Sequence, residues 1–268
     1  MYIIDVHTHI FPRKIADRAV KSIGDFYNLP MSGTALSNDL DRACADVGIA
    51  RNLVFSTATA PHQVASINSF IHEKCTQYPR FIGFGTLHPA MDDPDAEIER
   101  ICDLGLHGIK LHPDFQEFDI DDGRMLPIYR RLAAYELPVL FHMGDARYTY
   151  SHPERLARVL DRVPDLRVIA AHFGGYSAWD ISMRVLAGSS AYYDTSSTLA
   201  FVTPERAGEM IGVLGVDRIF FGTDYPMWDI REELDRFFAL GLSEEDNRKI
   251  LSENFIKAFP HICPPLDE

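Results

Sequence analysis

Short apolar runs recur along this chain, and most of them are continuous rather than alternating in apolar character. Continuous runs are typical of strands that are buried on both faces, as in parallel sheets. After the first run they begin roughly every 23 to 30 residues, which is the length of one βα unit. The eight predicted strands are residues 2–6, 52–55, 81–84, 108–111, 139–141, 168–171, 191–193 and 219–221.

Amphipathic stretches with start and stop signals for helices lie between these runs. Ser37 is a good N-cap, Gly105, Pro164 and Gly215 end three patterns, and Ser243 starts a last pattern after the eighth strand. The predicted helices are residues 38–47, 94–104, 153–163, 205–214 and 244–259. Eight strands with helical crossovers favour an α/β fold of the (β/α)8 TIM-barrel type, with a doubly wound open sheet as the alternative.

The sequence predicts one domain over residues 1–268, because it shows no repeat, no low-complexity segment and no linker. Residues 11–36, which include Tyr27, form the longest stretch between a strand and its next clear helix. This stretch predicts either a mobile flap over the site or a packed surface excursion. The acidic, proline-rich residues 264–268 are expected to be a frayed tail.

Composition narrows the range of partners. The formal net charge of −13 argues against nucleic acid and against an anionic membrane surface. The four cysteines lie far apart and form no CxxC pair, which is typical of small buried apolar residues in a reduced compartment. The N-terminus shows no signal-peptide pattern, and no apolar run is long enough for a membrane span. We therefore expect a cytoplasmic protein that acts on a small molecule.

Chemically active side chains follow five of the apolar runs at their C-terminal ends. His7 and His9 end the first run, and they share a face because alternate side chains of a strand point the same way. The fourth run contains Lys110 near its end and is followed by His112, and later runs are followed by His142, His172 and Asp224. The C-terminal ends of barrel strands form the catalytic face, so these side chains are expected to converge there.

Imidazole and carboxylate groups together suit zinc, and they also suit iron, manganese or nickel. Three neutral histidines and one aspartate would leave a position on the metal for a water molecule. The metal would lower the pKa of that water toward neutrality. A further histidine could then move protons.

The ordered motifs HxH, GIKLHP, PVLFHMG, AHFGG and FGTDYP resemble the amidohydrolase superfamily of metal-dependent barrels. Within it they resemble the branch that includes aminocarboxymuconate-semialdehyde decarboxylase. The motifs run from Asp5 to Pro226, and residues 247–259 also resemble that branch, so the resemblance covers nearly the whole chain.

This resemblance implies that His7, His9, His142 and Asp224 hold the metal. It also implies that His172 orients or deprotonates the attacking water, or handles the substrate proton. Asp224 is expected to double as a base, so His172 and Asp224 are the expected catalytic residues.

Lys110 and His112 are expected to face inward and line the pocket, because the opposite phase would bury Lys110 among helix side chains. Some superfamily members carbamylate a lysine on the fourth strand, which then bridges two metals, whereas one metal is usual in the GIKLHP branch. We expect one divalent ion, zinc first, with manganese, iron and nickel as alternatives. Whether Lys110 is carbamylated stays open.

Two residues beyond the strand ends are further candidates for substrate binding. Arg147 could pair bidentately with a substrate carboxylate, and the alternative is a solvated surface position. Tyr225 could form a wall of the pocket, and the alternative is a position wedged under the flap.

The leading functional hypothesis is a metal-dependent hydrolase, in which a metal-activated water attacks an ester, lactone or amide carbon. The second hypothesis is a metal-dependent, non-oxidative decarboxylase of an unsaturated or aromatic carboxylic acid, with His172 delivering a proton. For that activity Arg13 and Arg147 are the only obvious carboxylate clamps. A third hypothesis is a non-catalytic barrel that binds a ligand. Related barrels are often dimers, so a homodimer stays open, and the sequence does not identify the substrate.

Overall fold

The computed structural model describes residues 1–145 and 147–263, so the predicted tail lies outside the described residues. The strands of the described chain are β1 (Ile4–His9), β2 (Arg51–Phe55), β3 (Phe81–Gly83), β4 (Ile109–Leu111), β5 (Val139–Phe141), β6 (Val168–Ala170), β7 (Tyr192–Asp194) and β8 (Ile219–Phe220). The helices are α1 (Arg13–Tyr27), α2 (Ser37–Val47), α3 (Val64–Gln77), α4 (Pro94–Asp103), α5 (Pro113–Gln116), α6 (Met125–Ala134), α7 (Pro153–Arg162), α8 (Trp179–Leu186), α9 (Pro204–Leu214), α10 (Ile230–Phe238), α11 (Glu244–Arg248) and α12 (Asn254–Ala258).

Local signals explain several helix ends. Asp93 accepts a hydrogen bond from the Ala96 amide at the start of α4, and Ser243 accepts one from the Asp246 amide at the start of α11. Ser37 is itself the first residue of α2 and not its N-cap, which is Leu36. The final helical pattern is present, but a π-helical turn separates α11 from α12.

The strands close into a barrel. Hydrogen bonds order them as β1-β2-β3 and β4-β5-β6-β7-β8, and every pair is parallel. Two isolated parallel bridges, Gly85 to Ile109 and Thr8 to Tyr225, join these two sheets at both seams. The Gly85 amide donates to the Gly108 carbonyl at 2.8 Å, and the His9 amide donates to the Tyr225 carbonyl at 2.7 Å. The predicted (β/α)8 barrel is therefore confirmed, and the open sheet is excluded.

Alternation along the strands divides the core into two layers. Ile109 and Leu111 belong to the outer layer, which packs against the helices, while Lys110 between them is fully buried. The inner layer fills the barrel, and the aromatic rings of Phe255 and Phe259 belong to it. Among the described residues, no helix combines the length and the apolar character that crossing a bilayer requires.

A β-bulge interrupts β1 just before the candidate metal ligands. Asp5 pairs with Asn52 and Thr8 pairs with Val54, so β1 has one residue more than β2 between these pairs. Val6 belongs to the inner core layer, and His7, the next residue, lines a cavity at the C-terminal rim of the barrel. The bulge breaks the strict alternation expected from the sequence and turns His7 toward that rim.

Candidate metal site

Three potential ligand atoms converge where β1 and β8 end. His7 Nε2 lies 3.4 Å from Asp224 Oδ1, and His9 Nε2 lies 3.3 Å from the same oxygen. The ligand atoms of these three residues all lie within 4.8 Å of one another. Two imidazole nitrogens and a carboxylate oxygen are ligands that Zn²⁺ and Mn²⁺ accept, so this donor set fits a divalent cation.

A buried carboxylate behind the site fixes His7. His7 Nδ1 lies 2.9 Å from Asp194 Oδ2, and Asp194 is the last residue of β7. Since a carboxylate only accepts, Nδ1 carries the proton and Nε2 keeps its lone pair toward Asp224. A histidine ligand that donates its second nitrogen to a carboxylate is a common arrangement at metal sites. Sequence reasoning missed Asp194, although it directly follows the seventh apolar run.

The protonation states favour metal binding at neutral pH. Burial lowers the pKa of His7 to about 4, and it also lowers the pKa of His9. Burial acts to raise the pKa of Asp224, but the charges of His7 and His172 and the hydrogen bond with His9 lower it well below its ordinary range. The imidazoles are therefore neutral and the carboxylate is ionised, which are the forms that bind a cation.

His142 and His172 lie beside the three converging residues. His172 Nδ1 lies 2.9 Å from the Ser196 carbonyl oxygen, so it donates, and His172 Nε2 lies 3.0 Å from His142 Nδ1. His142 lines the same cavity as His7, His9 and Asp224. Its ring nitrogens, however, do not belong to the group formed by His7, His9 and Asp224, whose ligand atoms lie within 4.8 Å of one another. The structure thus brings the predicted ligands to one cavity but gathers only three of them closely.

The backbone is strained where the catalytic candidates stand. His172 has a φ of 60° and Asp224 a φ of 62°, both in the left-handed region that non-glycine residues rarely adopt. Such residues cost about 1–3 kcal/mol each and cluster at functional sites. The strain therefore marks the turns after β6 and β8 as functional candidates.

Lys110 and His112 extend the site across the barrel mouth. Lys110 Nζ lies 3.2 Å from His7 Nε2 and 4.9 Å from the centre of the Phe55 ring. Burial lowers the pKa of Lys110 to about 8. The His112 ring stacks on the His142 ring with centroids 3.9 Å apart, and His112 lines the cavity. Both side chains face inward, as the strand phase predicts.

Tyr27 caps the cavity, and sequence reasoning gave it no role. Its hydroxyl lies 3.1 Å from His112 Nε2 and 3.4 Å from His142 Nε2. Tyr27 is the last residue of α1, so the stretch 11–36 contains a packed helix. With Tyr27 in place, the cavity at the converging ligands has a volume of about 30 Å³, which is room for about one water molecule.

The structure places Arg147 and Tyr225 outside this cavity. Arg147 is exposed, and its guanidinium binds both carboxylate oxygens of Asp145 and stacks 4.1 Å from the centre of the Phe26 ring. The Tyr225 ring packs so closely on Gly33 that a methyl group there would lie 2.3 Å from it. Tyr225 is thus wedged under the stretch 11–36, and neither residue takes the pocket position expected of it.

A second, larger cavity adjoins the first. It has a volume of about 640 Å³ and lies between α1 and the loops that follow β1, β2 and β4. Four residues line both cavities: His9, Ile23, His112 and Phe115. The larger cavity therefore reaches one of the converging ligands, His9.

Two further groups of potential ligands share side chains with the first. In the group of His7, His172 and Asp194, the first and last residues already satisfy each other by a hydrogen bond. In the group of His112, Asp114 and His142, the Nε2 atoms of both histidines face the Tyr27 hydroxyl. The first group is the best placed of the three to hold an ion.

Comparison with known proteins matches this chain to a protein family and to curated relatives. A family model described as amidohydrolase matches residues 4–260. A gamma-resorcylate decarboxylase of Rhodococcus jostii is 26% identical over 247 residues, which cover 72% of this chain and 74% of that protein. A 2-amino-3-carboxymuconate-6-semialdehyde decarboxylase of Dictyostelium discoideum is 25% identical over 199 residues, which cover 60% of this chain and 55% of that protein.

Solved structures share the fold. An uncharacterised TIM-barrel protein from Bordetella bronchiseptica superposes with a TM-score of 0.76 at 20% identity, covering 98% of this chain and 99% of that one. A dihydroxybenzoic acid decarboxylase from a Polaromonas species, with bound manganese and the inhibitor 2-nitroresorcinol, superposes with a TM-score of 0.75 at 19% identity, covering 96% of each chain.

Proposed function

This chain is an enzyme of the amidohydrolase family, and on that premise we propose that it is a metal-dependent, non-oxidative decarboxylase of a small aromatic or unsaturated carboxylic acid. The observation that carries the proposal is the convergence of His7, His9 and Asp224 in one buried cavity, with the His172 ring 5.1 Å from the His7 ring. The curated relatives named above act as decarboxylases, so they favour this activity over the hydrolysis expected first from the sequence.

His7, His9 and Asp224 would hold the ion, with His142 as the fourth protein ligand from the wall of the same cavity. When bound, a divalent ion supplies positive charge that orients a substrate carboxylate and stabilises negative charge near it. Manganese is present in the Polaromonas structure, and zinc suits the same donor set. We propose one ion per chain, with manganese and zinc as the candidates.

Non-oxidative decarboxylation exchanges CO2 for a proton at one carbon atom. The electron pair of the broken carbon–carbon bond stays on that carbon, which must therefore receive a proton. We assign this task to His172, because its Nδ1 is held by the Ser196 carbonyl and its Nε2 lies 3.0 Å from Nδ1 of His142, which lines the cavity. In this proposal His172 protonated on both nitrogens delivers the proton from Nε2, keeps the Nδ1 proton on the Ser196 carbonyl, and as neutral imidazole takes a new proton from solvent.

Asp224 acts as a ligand in this proposal. Its Oδ2 accepts a hydrogen bond from the Ser197 hydroxyl at 2.5 Å, which leaves Oδ1 toward His7 and His9. Its second expected role, as a base, belongs to the hydrolytic alternative. His112 lines the cavity and Lys110 Nζ lies 3.2 Å from His7 Nε2, and we propose that both contact the substrate.

The described strands close one barrel, which supports the proposal that the chain works as a single domain. The homodimer stays a prediction, and sedimentation equilibrium would test it.

The deciding experiment measures reaction products. Protein reconstituted with Mn²⁺ or Zn²⁺ is incubated with 2,6-dihydroxybenzoate, other hydroxybenzoates and unsaturated dicarboxylates, and separately with lactones and aryl esters. We expect CO2 from at least one acid, and loss of both bound metal and CO2 release in Asp224→Asn. The exposed Asp235→Asn is the matched control and should behave as wild type. Hydrolysis of a lactone or ester without CO2 from any acid would overturn the proposal.

A further inference from the structure

The cavity at the converging ligands is too small for an aromatic acid. Its volume is about 30 Å³, whereas a cavity of about 150 Å³ accommodates benzene. The adjoining cavity of about 640 Å³ has ample room, and His9 and His112 line both spaces. The body of a substrate whose reacting carboxylate lies at the ligands must therefore extend into the larger cavity.

Two cations on α1 line this larger cavity. Lys14 and Arg18 are four residues apart, so they lie on one face of the helix. Within the described chain, neither side chain has an ion pair or a hydrogen bond. Two unpaired like charges at this spacing repel each other, and they occur in a protein whose net charge is −13. Both side chains are exposed, so the pair presents positive charge to solvent and to any anion that enters the cavity.

A third cation of the same helix has a partner and lies outside this cavity. Lys21, which lines a separate groove, pairs with Asp25 at 2.6 Å. Arg13, the fourth cation of α1, has no ion pair within the described chain either, but it lines another groove, so Lys14 and Arg18 are the two that combine an unpaired charge with a place in the wall of this cavity.

A polar atom without a partner also belongs to the larger cavity. Thr57, in the loop after β2, lines it, and its Oγ1 is buried without a hydrogen-bond partner. Buried polar atoms are nearly always satisfied, but this oxygen has almost no surface open to the cavity, so it is not a contact for a molecule bound there. It stands at the C-terminal rim of the barrel, on the same side as His9.

We propose that this larger cavity is the substrate pocket, and that Lys14 and Arg18 select acids which carry a second carboxylate at the end away from the reacting one. The inference rests on the proposed function for the position of the reacting carboxylate. Lys14 and Arg18 are specificity determinants in this assignment. Arg13 does not line this cavity but an adjacent groove, so it is not the clamp.

The test compares matched probes by calorimetry on the Mn²⁺-loaded protein. Salicylate carries one carboxylate, while 4-hydroxyisophthalate and 5-(2-carboxyethyl)salicylate add a second one at two distances from the first. We expect at least one diacid to bind at least fivefold more tightly than salicylate. We also expect this preference to fall as ionic strength rises, because the contact is between charges.

Variants locate the preference on the helix. In the Lys14→Gln/Arg18→Gln double variant, the ratio of the two dissociation constants should fall to within about twofold of unity. Lys21→Gln removes one cation from the same helix outside the cavity and should keep the wild-type ratio. A wild type without a preference for either diacid, including one that binds no probe, would overturn the inference, as would a preference that survives the double substitution.

Product analysis of the same samples separates this inference from the proposed function. A charge preference that depends on Lys14 and Arg18, with no CO2 released from any acid, would refute the decarboxylase proposal and leave the pocket assignment standing. CO2 release with equal affinity for monoacids and diacids would refute the pocket assignment alone.

Discussion

Asp194 is a single residue that positions two parts of the candidate site. Its Oδ2 accepts from His7 Nδ1 at 2.9 Å, and its Oδ1 accepts from the backbone amide of His172 at 2.9 Å. Burial opposes ionisation, but the charge and hydrogen bond of His7 lower the pKa of Asp194 to about 2. One ionised carboxylate therefore orients both a candidate ligand and the candidate proton donor.

Replacing Asp194 by asparagine should weaken metal binding without removing a ligand. Asparagine keeps the shape but loses the charge that holds the Nδ1 proton of His7, and loss of such a partner costs about 10- to 100-fold in affinity. Competition against a chelator would measure the Mn²⁺ dissociation constant. The control Asp235→Asn should leave the constant unchanged, and an unchanged constant in Asp194→Asn would show that this hydrogen bond does not tune the site.

For single residues, the ligand candidates could be predicted from the sequence, because a histidine or an aspartate directly follows several buried strands. Asp194 satisfies the same criterion, but a lone acid after an apolar run is most often solvated, so the pattern did not single it out. Tyr27 gives no signal at all. Its contact with His112 depends on how α1 packs over the barrel mouth, and residue spacing does not encode that packing.

Among the elements, β1 shows how the strands themselves shape the site. The bulge between Asp5 and Thr8 directs His7 toward the rim, and the segment after β8 then passes close behind it. A methyl group on Gly222 would lie 2.9 Å from His7 Cβ and 3.4 Å from the Cβ atoms of Asp194 and Ser196. The lack of a side chain at Gly222 lets the first and eighth strands approach each other at the site.

Gly222→Ala should therefore push His7 away from Asp224. The new methyl group would clash with Cβ atoms, which do not move when a side chain rotates. Overpacking of this kind lowers the free energy of unfolding by about 1–3 kcal/mol. We expect a lower midpoint in thermal unfolding and Mn²⁺ affinity reduced at least tenfold. In the control Gly212→Ala, within α9, the new methyl group meets no atom within 4 Å, so stability should hold or rise. Normal metal affinity in Gly222→Ala would contradict the close approach.

The sequence predicts elements better when they are bounded by clear signals. Helices α4, α7 and α9 each begin with proline, and glycine or proline follows each of them within two residues. Helix α1 has no side-chain cap at its start, and Asn28, which follows its last residue, adopts a left-handed conformation. The sequence therefore shows no clear signal at either end of this helix, and the glycine and proline residues nearby obscured it further. The bulge in β1 depends on pairing with β2, and one strand alone does not reveal its partner's register.

For the molecule as a whole, the count and spacing of the apolar runs favoured a closed barrel and left an open sheet as the alternative. Parallel strands buried on both faces need helical crossovers, and eight such units close on themselves. The seams were not predictable, because the bridging residues Gly85 and Tyr225 lie outside the regular strands.

Electrostatics is also a whole-molecule property, since the pKa of a buried acid reflects everything packed around it.

Glu233 on α10 should make stability depend on pH. It is fully buried, its Oε2 has no hydrogen-bond partner within the described chain, and burial raises its pKa to about 7 from 4.5. Between about pH 4.5 and 7 the folded protein keeps a proton that the unfolded chain releases. The contribution of Glu233 to the free energy of unfolding is therefore present at low pH and is lost as pH rises through 7.

Glu233→Gln removes this titration, so its stability relative to wild type should rise by about 2 kcal/mol between pH 5.5 and pH 8. Urea unfolding of the metal-free proteins would measure the difference. Burial also raises the pKa of Asp5 and Asp114 to about 7, but both groups remain in the variant and cancel in the comparison. The neighbour Glu232 is exposed and shares Arg236 as a partner, so Glu232→Gln should show no pH-dependent gain. A constant difference between Glu233→Gln and wild type would mean that Glu233 stays ionised in the folded protein.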